Sequence, residues 1–62
     1  MTNPNARDVA FEYGRECFIE GTVDLIEAQK AAADRFGDQP VLVKDFMAGW
    51  EQESFDSLNK DS

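Results

Sequence analysis

Five carboxylates recur at every fourth position of the chain, at Asp8, Glu12, Glu16, Glu20 and Asp24. Residues four apart on a helix are neighbours at about 6 Å, so the first four would form a column of negative charge. Carboxylate oxygens suit Mg²⁺ or Ca²⁺, but one helix supplies ligands from one side only and the sequence has no EF-hand loop. The same column also resembles a row of backbone phosphates, which a basic protein groove would accept.

The groups that catalysis most often uses are missing from the sequence. It contains no histidine, and Cys17 is its only cysteine, which excludes a Cys/His zinc site and a Ser-His or Cys-His nucleophile pair. It also lacks a Gly-rich phosphate loop with its lysine. We therefore expect no catalytic residue, no cofactor and no metal, and interpret the chain as a binding protein rather than an enzyme. Cys17 is predicted to be a small buried hydrophobic residue.

The charge balance restricts the partners. Thirteen acidic residues against six basic ones give a net charge of -7 over 62 residues. Direct binding to DNA or to an anionic membrane requires the opposite sign, so we expect a protein partner with a basic surface, no direct DNA binding and no membrane. The absence of a signal-peptide pattern at the N-terminus and the single cysteine predict a cytoplasmic location.

The periodicity of apolar residues predicts a single small all-α domain of three helices. Asn3-Pro4 suits a helix start, Gly21-Thr22 a helix end followed by a new N-cap, and Pro40 a first turn. The predicted helices span residues 4–20, 23–36 and 40–55, and residues 57–62 are predicted to fray. A chain of this length has room for one modest core, which leaves homo-oligomerisation open as a way to complete it.

The predicted core consists of aromatic and small residues on the apolar stripes, chiefly Phe11, Phe18, Phe36, Phe46 and Trp50 on the aromatic side. A glycine inside a helix costs about 0.5–1 kcal/mol relative to alanine. A close helix crossing would explain that cost, because Gly14 and Gly21 lie two turns apart on the apolar face and Gly49 adjoins Trp50. We therefore expect a bulky ring to pack into a glycine notch. We expect the indole N–H of Trp50 at the rim of the core, and Tyr13 and Phe55 partly exposed as secondary interface candidates.

The glycine spacing is similar to that of the ribosome modulation factor type of small bacterial protein. The shared patterns are a first helix with Ala10, Gly14, Cys17 and Gly21, and a later helix with Phe46, Gly49 and Trp50. The resemblance implies a related helix packing and a ribosome-associated factor as one function. This chain departs from that family in two ways: the family is basic and binds ribosomal RNA, and residues 22–36 form an additional predicted helix. No RNA-contacting residue is carried over.

The carboxylate column has two interpretations. It lies opposite the apolar stripe of the first helix, where amphipathicity alone predicts charge. Val9 and Ile19, however, lie among the acids, and apolar anchors ringed by charge are typical of protein interfaces. The candidate partner-binding residues are Asp8, Val9, Glu12, Glu16, Ile19 and Glu20.

Two further functional hypotheses follow from these patterns. The first is a small acidic regulatory or inhibitory protein, of the kind that phages and mobile elements often make, which occupies a basic nucleic-acid-binding surface of a partner. The alternative is a structural or oligomerisation module that joins a larger assembly through apolar surface, with its charge serving solubility.

Overall fold

A computed structural model of the chain describes residues 5–59, which form three helices and no strand. These are α1 (Ala6–Ile19), α2 (Leu25–Phe36) and α3 (Pro40–Asn59). The predicted small three-helix all-α domain is thereby confirmed. None of these helices combines the length and the apolarity needed to cross a membrane.

The starts of α1 and α2 are set by side-chain caps. The Asn5 side chain accepts a hydrogen bond from the Arg7 backbone N–H at 2.9 Å. Asp24 caps α2 in the same way, accepting from the Ile26 N–H at 2.8 Å. Both α1 and α2 therefore begin two residues later than predicted. The prediction of Thr22 as N-cap of α2 was wrong. A carboxylate satisfies the free N–H groups and complements the helix dipole, which a threonine hydroxyl does less well.

The end of α1 depends on a glycine. Gly21 has φ +121°, its N–H bonds to the Phe18 carbonyl at 3.1 Å, and the Thr22 N–H bonds to the Cys17 carbonyl at 3.1 Å. This pair of bonds is the Schellman motif, which requires a residue that tolerates positive φ. A Cβ on Gly21 would meet nothing within 4 Å, so this glycine serves the turn and not the helix packing.

The C-terminal part of α3 is longer than predicted. The helix continues to Asn59, four residues beyond its predicted end at residue 55, so residues 57–59 of the predicted frayed tail are helical. The predictions for residues 3–4 and 60–62 lie outside the described part of the chain.

Two ion pairs show that α1 and α3 run parallel. Arg7 Nε lies 2.8 Å from an Asp45 carboxylate oxygen, and Arg15 Nε lies 3.1 Å from a Glu53 carboxylate oxygen. Both pairs join residues 38 positions apart, and a constant separation is found only when two helices point the same way. The chain returns from the end of α1 to the start of α3 through α2, whose 12 residues span about 18 Å.

The crossing of α1 and α3 is a contact between backbones. A Cβ on Gly14 would clash with the Phe46 carbonyl oxygen and lie 2.9 Å from the Trp50 backbone nitrogen. A Cβ on Gly49 would clash with the Phe11 carbonyl oxygen. Each glycine therefore directs a Cα–H towards a carbonyl of the other helix, which is the geometry of a weak Cα–H···O bond. The predicted close crossing is confirmed, but the expected ring in a glycine notch was wrong.

The core is small because the molecule is thin. Its smallest dimension is 16 Å, so most large side chains reach solvent on one side. The buried hydrophobic residues are Ala10, Ala28, Ala32, Leu42, Phe46 and Trp50. Among the described residues, no side chain larger than alanine is completely buried. The predicted core residues Phe11, Phe18 and Phe36 are only half-buried, as is Cys17.

Trp50 joins the helices to the loop between α1 and α2. Its indole N–H donates to the Thr22 carbonyl at 2.7 Å, and its ring meets the Phe18 ring edge-on with centroids 5.7 Å apart. Only 7% of Trp50 is exposed. The indole N–H is part-buried, and its hydrogen-bond partner is the backbone of the same chain.

Candidate protein-binding surface

The carboxylate column lies on the outer side of α1. Asp8, Glu12 and Glu16 are on the helix, and Glu20 continues it as the C-cap in right-handed helical conformation. All four side chains are exposed, on the side opposite the buried Ala10 and Gly14. Asp24 does not belong to the column because it caps α2.

The two arginines of α1 neutralise only part of this column, because both hydrogen-bond to α3. The hydrogen bond to Asp45 raises the pKa of the Arg7 guanidinium, and the hydrogen bond to Glu53 does the same for Arg15. A carboxylate acceptor stabilises the charged form of a guanidinium. Arg15 also lies 3.5 Å from a Glu12 oxygen.

Most of the column therefore keeps its charge. Within residues 5–59, Glu12 is its only member with an ion pair. Asp8, Glu16 and Glu20 form no ion pair in this part of the chain, although Arg7 attracts Asp8 at longer range. Like charges four residues apart disfavour a helix by about 0.2–0.5 kcal/mol per pair, so the fold retains an arrangement that does not stabilise it.

Five of the six candidate residues line two adjoining hollows, and Ile19 lies one turn from Glu16 on the same side of α1. A shallow depression is lined by Asp8, Val9, Glu12, Tyr13 and Glu16. Glu16 also belongs to a groove between α1 and α2, which is lined by Tyr13, Glu16, Cys17, Glu20, Ala31, Arg35 and Phe46. Val9 is half-buried and Ile19 is 66% exposed, but Ile19 lines neither hollow. We call the surface formed by Asp8, Val9, Glu12, Glu16, Ile19 and Glu20 the acid face.

Tyr13 of α1 and Arg35 of α2 are in contact at the edge of the acid face. The Arg35 guanidinium carbon lies 4.3 Å from the centre of the Tyr13 ring, as in a cation–π contact. The Tyr13 ring lies 6.1 Å from that of Phe36. No ion pair joins Arg35 to Glu16 or Glu20 within the described chain. The exposure of Tyr13, 37%, agrees with the sequence prediction, whereas the role of Arg35 depends on tertiary packing and left no sequence signal.

The chemistry available on this surface is that of a polyanion with apolar neighbours. Between residues 5 and 59, no three cysteine or carboxylate side chains are grouped closely enough to hold a metal ion. The glycines on which the sequence resemblance rests divide into two roles, since Gly14 and Gly49 form the crossing and Gly21 the turn. Comparison of the chain with protein-family models, with curated proteins and with solved structures gave no match.

Proposed function

We propose that this domain is a small acidic regulatory or inhibitory protein that binds a basic surface of a protein partner through the acid face. One observation carries the proposal: both arginines of α1 hydrogen-bond to α3, so the opposite side of the helix presents carboxylates with little compensation. A helix face that is only solvated does not require the basic side chains to be held on the other side of the helix. A surface that attracts a cationic partner does require this, because nearby basic side chains would cancel its charge.

The spacing of the acid face suits a groove made for nucleic acid. Its carboxylates follow one another at about 6 Å along the helix, and a partner that binds phosphates with lysine and arginine would meet them with the same side chains. Val9 and Ile19 would supply the apolar contacts that charge alone does not give. The domain would then inhibit its partner by competing with nucleic acid.

Charge reversal on the acid face tests this proposal. We expect the double variant Glu12→Lys/Glu16→Lys to lose the basic protein that the wild-type domain captures from a lysate of its host. Wild-type binding should weaken steeply between about 50 and 300 mM salt, because exposed charges are screened over about 8–10 Å near 0.15 M. Added nucleic acid should displace the domain from its partner.

The matched control separates the site from the net charge. Glu27→Lys/Asp34→Lys changes the net charge by the same amount on the exposed side of α2, and should retain the captured protein. Equal loss with both double variants would mean that only the total charge matters. Equal retention would remove the acid face as the binding site.

The apolar border of the acid face should also contribute to binding. We expect Ile19→Ser to weaken partner binding about fivefold to tenfold, the usual effect of truncating an interface anchor. Its side chain is 66% exposed, so the melting temperature should hardly change. Ile26→Ser, at 62% exposure on α2, is the control and should bind normally. An Ile19→Ser variant with full affinity would limit the interface to charges.

A different observation favours the second candidate, assembly through apolar surface. Phe55 and Leu58 are 66% and 72% exposed near the end of α3, on a different helix from the acid face. Salt separates the two functions, because apolar association does not weaken as ionic strength rises.

A further inference from the structure

We propose that two copies of this chain associate through the outer face of α3, with the two α3 helices antiparallel. The outer face comprises Val41, Lys44, Ala48, Glu51, Phe55 and Leu58, all exposed. This inference does not depend on the proposed function, because the acid face lies on another helix.

The outer face has the spacing of a coiled-coil seam. Its residues follow one another at alternating steps of three and four along the sequence, which is the a/d pattern by which helices pair. They lie on the side of α3 turned away from the buried Leu42, Phe46 and Gly49. α1 and α2 therefore leave this side of the helix uncovered.

The arrangement of residue types makes the outer face complementary to itself. Apolar side chains lie at its two ends, the small Ala48 is near its middle, and Lys44 and Glu51 are on either side of Ala48. An antiparallel copy that places Val41 against the second copy's Leu58 also places Lys44 against the second copy's Phe55. The second copy's Glu51 then lies in the next layer, about 6 Å further along the helix and within reach of the Lys44 side chain. Such an interface is isologous, since each contact occurs twice about a two-fold axis.

The charges of Lys44 and Glu51 are available for this pairing. Neither residue takes part in an ion pair among residues 5–59. They are seven positions apart on one helix, or about 10 Å, so they do not neutralise each other within a single chain. A parallel pairing would bring like charges together at both layers, whereas the antiparallel one joins opposite charges.

The size of the face fits a weak dimer. A helix of 20 residues is about 30 Å long, and one helix face buries less than the roughly 800 Å² per partner of a standard interface. That standard area would be about one sixth of the 4735 Å² surface of the chain. We therefore expect a dissociation constant on the order of 10–100 µM.

Analytical ultracentrifugation of the purified chain across a concentration series tests the proposal. The weight-average mass should rise from 7.0 kDa towards twice that value. Phe55→Ser should raise the dissociation constant at least about tenfold, because the lost contact occurs twice. Ile19→Ser, with the same 66% exposure on α1, should dimerise as the wild type does. A chain that stays monomeric up to about 1 mM, or a dimer that tolerates Phe55→Ser, would overturn the proposal.

A charge swap tests the antiparallel arrangement. Lys44→Glu alone and Glu51→Lys alone should each weaken the dimer, since each leaves like charges in neighbouring layers of the interface. The double variant Lys44→Glu/Glu51→Lys should restore the wild-type dissociation constant, because the pairs are re-formed with their signs exchanged. Additive weakening in the double variant would rule out this pairing.

Discussion

Replacing Gly14 with alanine is expected to remove most of the stability of the domain. At an exposed helix position the same change stabilises a protein by about 0.5–1 kcal/mol. Here the added methyl group would clash with the Phe46 carbonyl oxygen and lie 2.8 Å from the Phe46 carbonyl carbon. Because these atoms are backbone, α1 and α3 must move apart. We expect a loss of about 3 kcal/mol or more, against the roughly 3–5 kcal/mol that so small a core supplies.

Thermal and urea denaturation followed by circular dichroism measure this effect. Gly49→Ala should be as harmful as Gly14→Ala, since its Cβ would coincide with the Phe11 carbonyl oxygen. Gly21→Ala is the control without a clash: its Cβ has open space, but φ is +121°, so about 1–2 kcal/mol of backbone strain is expected. A Gly14→Ala variant as stable as the wild type would show that the helices do not cross at this contact.

Replacing Trp50 with alanine should also abolish the folded state at room temperature. Trp50 is the largest buried side chain, packs on Phe18 and hydrogen-bonds to the Thr22 carbonyl. Deleting a buried aromatic side chain costs about 3–5 kcal/mol. Trp50→Phe keeps most of the ring packing and loses the N–H, so a smaller loss of about 1–2 kcal/mol is expected.

Urea titration at low micromolar concentration distinguishes these two contributions. Phe55→Ala is the control on the same helix: its side chain is 66% exposed, and the stability should change by less than about 0.5 kcal/mol. If Trp50→Phe were as stable as the wild type, the hydrogen bond to Thr22 would not contribute to holding the loop. If Trp50→Ala remained folded, the packing of α1, α2 and α3 would not depend on this residue.

Much of the fold could be predicted from local patterns in the sequence. Periods of 3.6 gave the three helices, Pro40 marked the start of α3, and the cost of a glycine inside a helix indicated the crossing at Gly14. Each of these signals arises within one helix or one turn. The caps were predicted less well, because Thr22 and Asp24 both suit an N-cap and only the backbone conformation decides between them.

The parts that could not be predicted depend on how the helices face one another. Glu53 is 8% exposed, whereas its residue type alone predicts a position in solvent. Its burial follows from the parallel arrangement, which brings Arg15 within 3.1 Å of it. The same tertiary contact explains why Arg15 leaves most of the column uncompensated. The acid residues could be predicted, therefore, but not the separation of charge across α1.

Nuclear magnetic resonance tests the central claim most directly. The ¹⁵N-labelled domain would be titrated with the purified basic protein that wild-type capture retains and Glu12→Lys/Glu16→Lys capture does not. We predict that amide signals of the acid face, at Val9, Glu12, Glu16 and Ile19, shift or broaden, while those of Val41 and Phe55 on the outer face of α3 stay in place. Perturbations centred on α2 or α3, with the α1 signals unmoved, would contradict the proposal that the acid face is the binding site.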